Sequence, residues 1–356
     1  MRPFGRGFLP GPTDVHPDDL EATLEPMYFT FGERMKRLLA EVQPSLQRLF
    51  GTAQPVMIST GAATALMEAA IRNGVRGRVL VVCGGYFGEM FARVAEGCGK
   101  DVIRASVPPG RTLEPDQLES FLEGPTVDAV ALVHSESSTG ALAPLPDLAR
   151  VVRSRPDVLL LVDAVTSVGA MPIETDAWGL DFVFTGSQKA LALPPGIALA
   201  AASARFLARA ETIHDRGWYL SATHLASAAR KNLPLTTPAL PVFHALARQL
   251  KRIDEAGGLA DRFARHAAMA DRVACWVEDH PRARLLAPAG RRSPAVSALE
   301  VDGRKPAAIV AELERREWLI TTGLPPQGDS LIRIGHMGDL TVEHLDGLLA
   351  QLAELL

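Results

Sequence analysis

The stretch FVFTGSQKALALPPGIALAAAS, Phe182 to Ser203, holds two apolar runs of strand length around a single lysine. FVFTGS and IALAAAS lack the polar alternation of a half-buried strand, so each is expected as a strand covered on both faces. Of the 37 basic residues only six are lysine, which leaves 31 arginines to supply most surface charge. Lys189, between two apolar runs, therefore needs an explanation. A lysine at a core edge can snorkel its ammonium to water. The other explanation is chemical, because lysine alone among the cations shifts its pKa far enough to act as a base or form a Schiff base.

Similar runs recur outward from this segment: VMIS at 56–59, VLVVC at 79–83, AVALV at 129–133 and VLLLVDAV at 158–165. The first three lead into helix-like stretches, ATALMEAAIRNG, EMFARVAEGCG and LPDLARVVRS. Strand and helix alternation requires crossover connections, and the fold class expected is α/β, a mostly parallel central sheet with helices on both faces. The first two dozen residues, rich in Pro and Gly, read as an extended arm, followed by a helix over about 33–50. After about residue 255 the pattern changes. A long amphipathic stretch, ADRFARHAAMADRVACWVEDH, precedes two expected antiparallel strands, SALEVDG and SLIRIGHMG, with helices at AAIVAELERREW and VEHLDGLLAQLAELL. The division expected is an arm and large domain over 1–255 and a small α+β domain over 256–356.

An apolar content of 47% and charged content of 22% over 356 residues describe a globular chain with a large core. A net charge of −4 and a pI near 6.2 give no reason to expect nucleic acid or an anionic membrane as partner. Three cysteines without CxxC spacing suggest neither a disulfide framework nor a zinc site, and a reducing compartment follows. MRPFGRGFLPGP has no apolar h-region behind its arginines, and no uncharged run is long enough to span a bilayer, so a cytoplasmic location is expected.

In open α/β sheets ligands bind beyond the carboxyl ends of the strands. Thr60-Gly61-Ala62-Ala63-Thr64 opens a helix there, and small residues let backbone N–H groups approach an anion, although a Ser/Thr cap is commonplace. Gly84-Gly85-Tyr86-Phe87-Gly88 reads as a glycine-flanked loop carrying aromatics that could stack on a planar ligand. His134-Ser135-Glu136-Ser137-Ser138-Thr139-Gly140 is a dense polar set. His134 is equally well a satisfied strand-end residue or a site residue. Asp163 ends an apolar run, and a cap and a ligand carboxylate are even alternatives. Lys189 completes the edge.

Pyridoxal phosphate needs a lysine for its Schiff base, an acid for its ring nitrogen and a phosphate site, and this edge offers all three. Its rivals lack their signatures: no strand is followed by GxGxxG, Gly99-Lys100 runs into Asp101 without the glycine of a P-loop, and HExxH is absent. No metal is expected.

HSESSTG, LLLVDAVTSVGAMPIETDAWGLDF and TGSQKALALPPG, in that order, resemble the class V aminotransferases of fold type I, in the alanine-glyoxylate and serine-pyruvate (serine-glyoxylate) branch. The likeness runs from PGPTDV at 10–15 to LIRIGHMG at 331–338. It implies a transaminase that uses pyridoxal phosphate, with Lys189 forming the internal aldimine and carrying the proton. Asp163 would pair with the ring nitrogen, Phe87 would stack on the ring, and Ser137 would bond near its phenolic oxygen. Gly61, Ala62, Ala63, Thr64 and Gln188 would surround the phosphate, and Val165 would complete the cofactor site. Arg333 would take the substrate α-carboxylate and Gly11 would line the substrate pocket. The resemblance further implies a homodimer with its site at the interface, Thr236 of LPLTTPALP reaching the partner's phosphate. Phe87 stands where Trp is frequent, the phosphate turn is poor in serine and threonine, Leu233 replaces a tyrosine, and MYFTFGERMK at 27–36 departs from the pattern. The function expected is transfer of an amino group from alanine or serine to glyoxylate or pyruvate by ping-pong half-reactions. The alternative is a lyase or desulfurase on a small amino acid, and a desulfurase would need a mobile cysteine.

Overall fold

The computed structural model describes residues 2–356. Among the described residues nine strands precede residue 203: β1 (Met57–Thr60), β2 (Arg78–Cys83), β3 (Asp101–Ser106), β4 (Ala129–Val133), β5 (Ser135–Glu136), β6 (Ala141–Leu142), β7 (Leu159–Asp163), β8 (Phe182–Gly186) and β9 (Ile197–Ala202). Seven of them form one sheet in the order β1-β9-β8-β7-β4-β2-β3. β9 runs antiparallel to both its neighbours, and the remaining pairs are parallel. β5 and β6 form a separate two-stranded ribbon.

The unbroken apolar runs have their explanation in the packing. Leu80, Val82, Val130, Leu132, Leu160 and Val162 belong to one hydrophobic cluster. Their alternates Val79, Val81, Ala129, Ala131, Leu159 and Leu161 belong to another, on the opposite face. Both faces of every central strand are thus dry, and each fully buried Val or Leu contributes roughly 1.5–3 kcal/mol. Helix α1 (Pro17–Ala22), α2 (Glu33–Phe50), α3 (Ala63–Gly74) and α4 (Tyr86–Gly97) come first in the chain. On α2 the buried Met35, Leu39, Val42, Leu46 and Leu49 follow helical spacing, and Gly51 ends the helix at φ 58°.

Departures from the sequence expectation include three that bear on the sheet edge, the arm and the site. Strand β3 was not anticipated: DVIRAS lies at the sheet edge with only Ala105 buried, so its charges face water and hide the strand signal. Within the expected extended arm, Pro17–Ala22 forms a short helix with Pro at its start. Phe87 is not on a loop, since α4 begins at Tyr86.

A second sheet, β10 (Ala283–Leu285), β11 (Val296–Val301), β12 (Thr321–Thr322) and β13 (Leu331–Gly335), has the order β10-β11-β13-β12 and is antiparallel throughout. It follows helices at Leu240–Glu255 and Gly258–Glu278, which meet at Gly257, a left-handed position at φ 91°. The arm joins this sheet: Phe8 is buried in its cluster, and the Gly335 N–H donates to Phe8 O at 2.7 Å. No helix among the described residues is long and apolar enough to cross a membrane.

Candidate active site

The parallel register brings Val133 beside Asp163 and Asp163 beside Phe184, so three strands end at one level. Beyond them lies a cavity of about 220 Å³ lined by Gly11, Ala62, Ala63, Thr64, Phe87, Ser137, Asp163, Val165, Gln188 and Lys189, among others. All ten are residues singled out from the sequence.

Lys189 is 8% exposed. A tight turn after β8 sets it there: Ala192 N donates to Lys189 O at 2.8 Å, and Ser187 Oγ to Pro194 O at 2.7 Å. The arm then closes over it. Thr13 Oγ1 donates to Lys189 O at 2.9 Å, Thr13 N to Gln188 O at 3.0 Å, and Lys189 Nζ donates to Pro10 O. Gly11 has φ +102°, and a Cβ there would stand 2.5 Å from Lys189 Cδ, so only glycine lets the arm lie this close. Burial, with Arg333 adding to it, pushes the lysine down to about 8.

Asp163 is also buried, and desolvation pushes its carboxyl up to about 7. Oδ1 accepts from Val165 N at 2.9 Å, while Oδ2 has no protein donor among the described residues. Its backbone carbonyl accepts from His134 N at 2.9 Å. His134 does not line the cavity. Burial holds it near 4, hence neutral, with Nδ1 3.0 Å from Ser167 Oγ, so it is the satisfied strand-end histidine of the two alternatives.

Phe87, in the first turn of α4, presents its ring centroid 5.7 Å from Lys189 Nζ. Across the cavity α3 starts after Ala62, and no side chain caps it. Ala62 holds the cap position, and Thr60 Oγ1, two residues earlier, accepts from Ala239 N. The first N–H groups of a twelve-residue helix are thus left toward the cavity.

Three expected residues lie outside the cavity wall. The Gly61 N–H is committed to Gly196 O at 2.8 Å. Thr236 lies in a shallow depression with Thr60 and Tyr219. Arg333, on β13, stands behind Ser137, with Nη1 donating to Ser137 O at 3.2 Å and Nε to Thr322 O at 2.9 Å. Its Nη2 has no protein acceptor among the described residues. Burial lowers Arg333 to about 10, still charged at neutral pH.

Sequence reasoning passed over Pro10 and Thr13, whose roles depend on the path of the arm. It also passed over Glu136, although a carboxylate three residues beyond an apolar strand was visible in HSESSTG.

An anion site at an uncapped helix start, an aromatic wall, a buried lysine and a buried carboxylate with one oxygen unpaired form one donor set. That set fits pyridoxal phosphate: Oδ2 of Asp163 can accept from a protonated ring nitrogen, and α3 can meet a phosphate.

Residues 19–327 match the family model described as aminotransferase class-V. The chain is 32% identical, over 97% of its length and 92% of the other's, to a Synechococcus protein named soluble hydrogenase, small subunit. It superposes with a TM-score of 0.93 on an alanine-glyoxylate aminotransferase from Nostoc sp., at 30% identity over 100% of this chain and 96% of that one. An aspartate aminotransferase from Thermus thermophilus gives 0.90 at 31% identity, over 98% and 99%.

Proposed function

The chain belongs to the class V aminotransferases, fold type I transaminases that use pyridoxal phosphate, and from that premise we propose that it moves an amino group from alanine or serine to glyoxylate or pyruvate. One observation carries the choice of a small monocarboxylic donor. Lys189 is the only cation lining the cavity among the described residues, and Arg333 is the only one placed just behind it through Ser137. That leaves a single anchor for a single carboxylate, whereas a dicarboxylic donor requires a second.

When bound, the cofactor supplies an aldehyde for the amine and an electron sink for the carbanion. Lys189 would hold it covalently through Nζ. Asp163 would keep the ring nitrogen protonated, Phe87 and Val165 would flank the ring, and Ser137 would bond at its rim. Ala62, Ala63, Thr64 and Gln188 would take the phosphate, with Gly61 shaping the turn.

The chain's own residues supply the rest. Arg333 offers Nη2 to the substrate carboxylate while its other nitrogens are tethered, so the guanidinium is oriented before substrate arrives. Once freed by the incoming amine, Lys189 has its pKa lowered close to neutrality, which suits a base that takes and returns one proton. Pro10 and Gly11 exclude water above it. None of the three cysteines lines the cavity, which supports transamination over desulfuration.

The proposal includes a homodimer in which Thr236 of one copy reaches the cavity of the other. Two observations support it: Thr236 lies away from its own cavity, and Leu24, Met27, Phe29 and Trp218 are exposed to 79%, 69%, 74% and 59%. The division of the chain near residue 255 and a cytoplasmic setting belong to the same proposal.

The test is a half-reaction. Holoenzyme is mixed with single amino acids and no acceptor, and conversion of the cofactor to its amine form is followed by absorbance. Conversion by alanine or serine, reversed by glyoxylate or pyruvate, is expected. Conversion by aspartate alone, or release of sulfide or ammonia in its place, contradicts the proposal.

A further inference from the structure

The loop that carries Ser137 also holds a buried carboxylate that the chemistry above leaves unused. Glu136 is 5% exposed, and its four hydrogen bonds all come from neutral donors. Oε2 accepts from Phe87 N and Gly88 N, both at 3.1 Å, and Oε1 accepts from Ser138 N at 3.0 Å and Ser138 Oγ at 2.6 Å. Ser138 Oγ in turn accepts from Tyr86 N at 3.0 Å. The first three N–H groups of α4 are thus satisfied from another loop, since the cap residue Gly85 has no side chain. The carboxylate thus faces only neutral donors and the positive end of a twelve-residue helix.

Capping alone does not account for what this carboxylate connects. Phe87, held by its N–H, is the aromatic wall facing Lys189. Ser137, next in sequence, lines the cavity and accepts Arg333 on its carbonyl. The close approach is built in at Gly85, where a Cβ would stand 2.6 Å from Glu136 Cγ and 2.5 Å from Ser138 Oγ. The charged groups facing Glu136 are Lys189, Asp163 and Arg333, on each of which its negative charge acts. Exposed Arg111 borders a small cavity of about 20 Å³ on its other side.

We propose that Glu136 is a positioning residue for the reaction: its one carboxylate sets the spacing between the Phe87 wall and the Ser137–Arg333 anchor, and holds a fixed negative charge against the lysine site. The inference rests on the functional reading above and deepens it.

The experiment measures two quantities on holoenzyme, the pH midpoint of the visible cofactor band and the cofactor dissociation constant. Glu136→Gln keeps the size and removes the charge, so the midpoint is expected to fall by about one unit and cofactor binding to weaken about tenfold. Ser138→Ala breaks the same cluster without altering charge, and its midpoint is expected to stay with wild type. Glu136→Asp keeps the charge one methylene short, so its midpoint stays while cofactor binding weakens; this variant decides the matter where the glutamine variant does not fold. An unmoved midpoint in Glu136→Gln, an equal shift in Ser138→Ala, or wild-type affinity in Glu136→Asp reduces Glu136 to a helix cap and overturns the inference. Wild-type protein with no titrating band overturns the functional reading, and this inference with it, which separates the two failures.

Discussion

Two sets of buried charges flank the turn after β8, and they are treated in opposite ways. In one, Asp339 is gripped by Arg262 at 2.7 Å, Arg252 at 3.2 Å and Gln249 at 2.9 Å, and these partners hold its carboxyl far below the usual carboxylate range. Arg252 also reaches Asp19 of α1 at 2.6 Å, and Arg262 Nη2 donates to Ala190 O at 2.5 Å, directly after Lys189. In the other, among the described residues, Lys189 Nζ hydrogen-bonds only the neutral carbonyl of Pro10, and the Asp163 carboxylate only a backbone N–H. Buried carboxylates therefore have two fates here. Ion partners keep one charged and structural, whereas isolation brings the other, and the nearby amine, toward neutrality and readiness to exchange protons. Asp19 stands between the extremes: Oδ1 is unpartnered, and burial outweighs Arg252 to leave it near 6.

Exchanging members of the two sets separates their roles. Lys189→Ala should abolish transamination, by more than about 10³-fold in kcat/KM, while denaturant unfolding of the cofactor-free protein stays within about 1 kcal/mol of wild type. Loss of stability matching the loss of activity would erase the distinction. Asp339→Ala should do the reverse, costing about 3–5 kcal/mol in the same unfolding assay because Arg262 and Arg252 lose their shared partner. A variant as stable as wild type would show the network to be ornamental.

Asp163 should reveal itself through pH. Its folded pKa, about 7, lies above the ordinary value of 3.8, so the folded state binds more protons between them. Stability of the cofactor-free protein should then fall as pH rises across that window, by at most about 4 kcal/mol. Asp163→Asn removes this contribution, and the wild-type minus variant difference isolates it. A flat difference would mean that the carboxylate is not desolvated. The smallest effect concerns the anchor: Arg333→Lys keeps the charge but loses the fork, so KM for the amino donor should rise about tenfold with little change in kcat. An unmoved KM would remove Arg333 from substrate binding.

What was legible in the sequence follows from this contrast. Lys189 and Asp163 were visible because a polar residue at the end of an unbroken apolar run has no surface reason to be there. The central strands were visible because both their faces are buried. β3 was not, since an edge strand mixes Asp101 and Arg104 into its pattern. The paired network was invisible because its partners lie far apart in sequence, 233 positions for Arg252 and Asp19. Gly84-Gly85 has the composition of a turn, which hides the helix start at Tyr86 and with it the place of Phe87. Gly85 is instead where Glu136 packs against the start of α4, a contact across 49 positions that no local pattern records.

The most direct test of the poised lysine is chemical. Holoenzyme is reduced with borohydride, digested, and the cofactor-bearing peptide identified by mass. The label is expected on Lys189 alone among the six lysines, with loss of the reducible band in Lys189→Ala. A label on any other lysine, or a band that survives the substitution, contradicts that assignment.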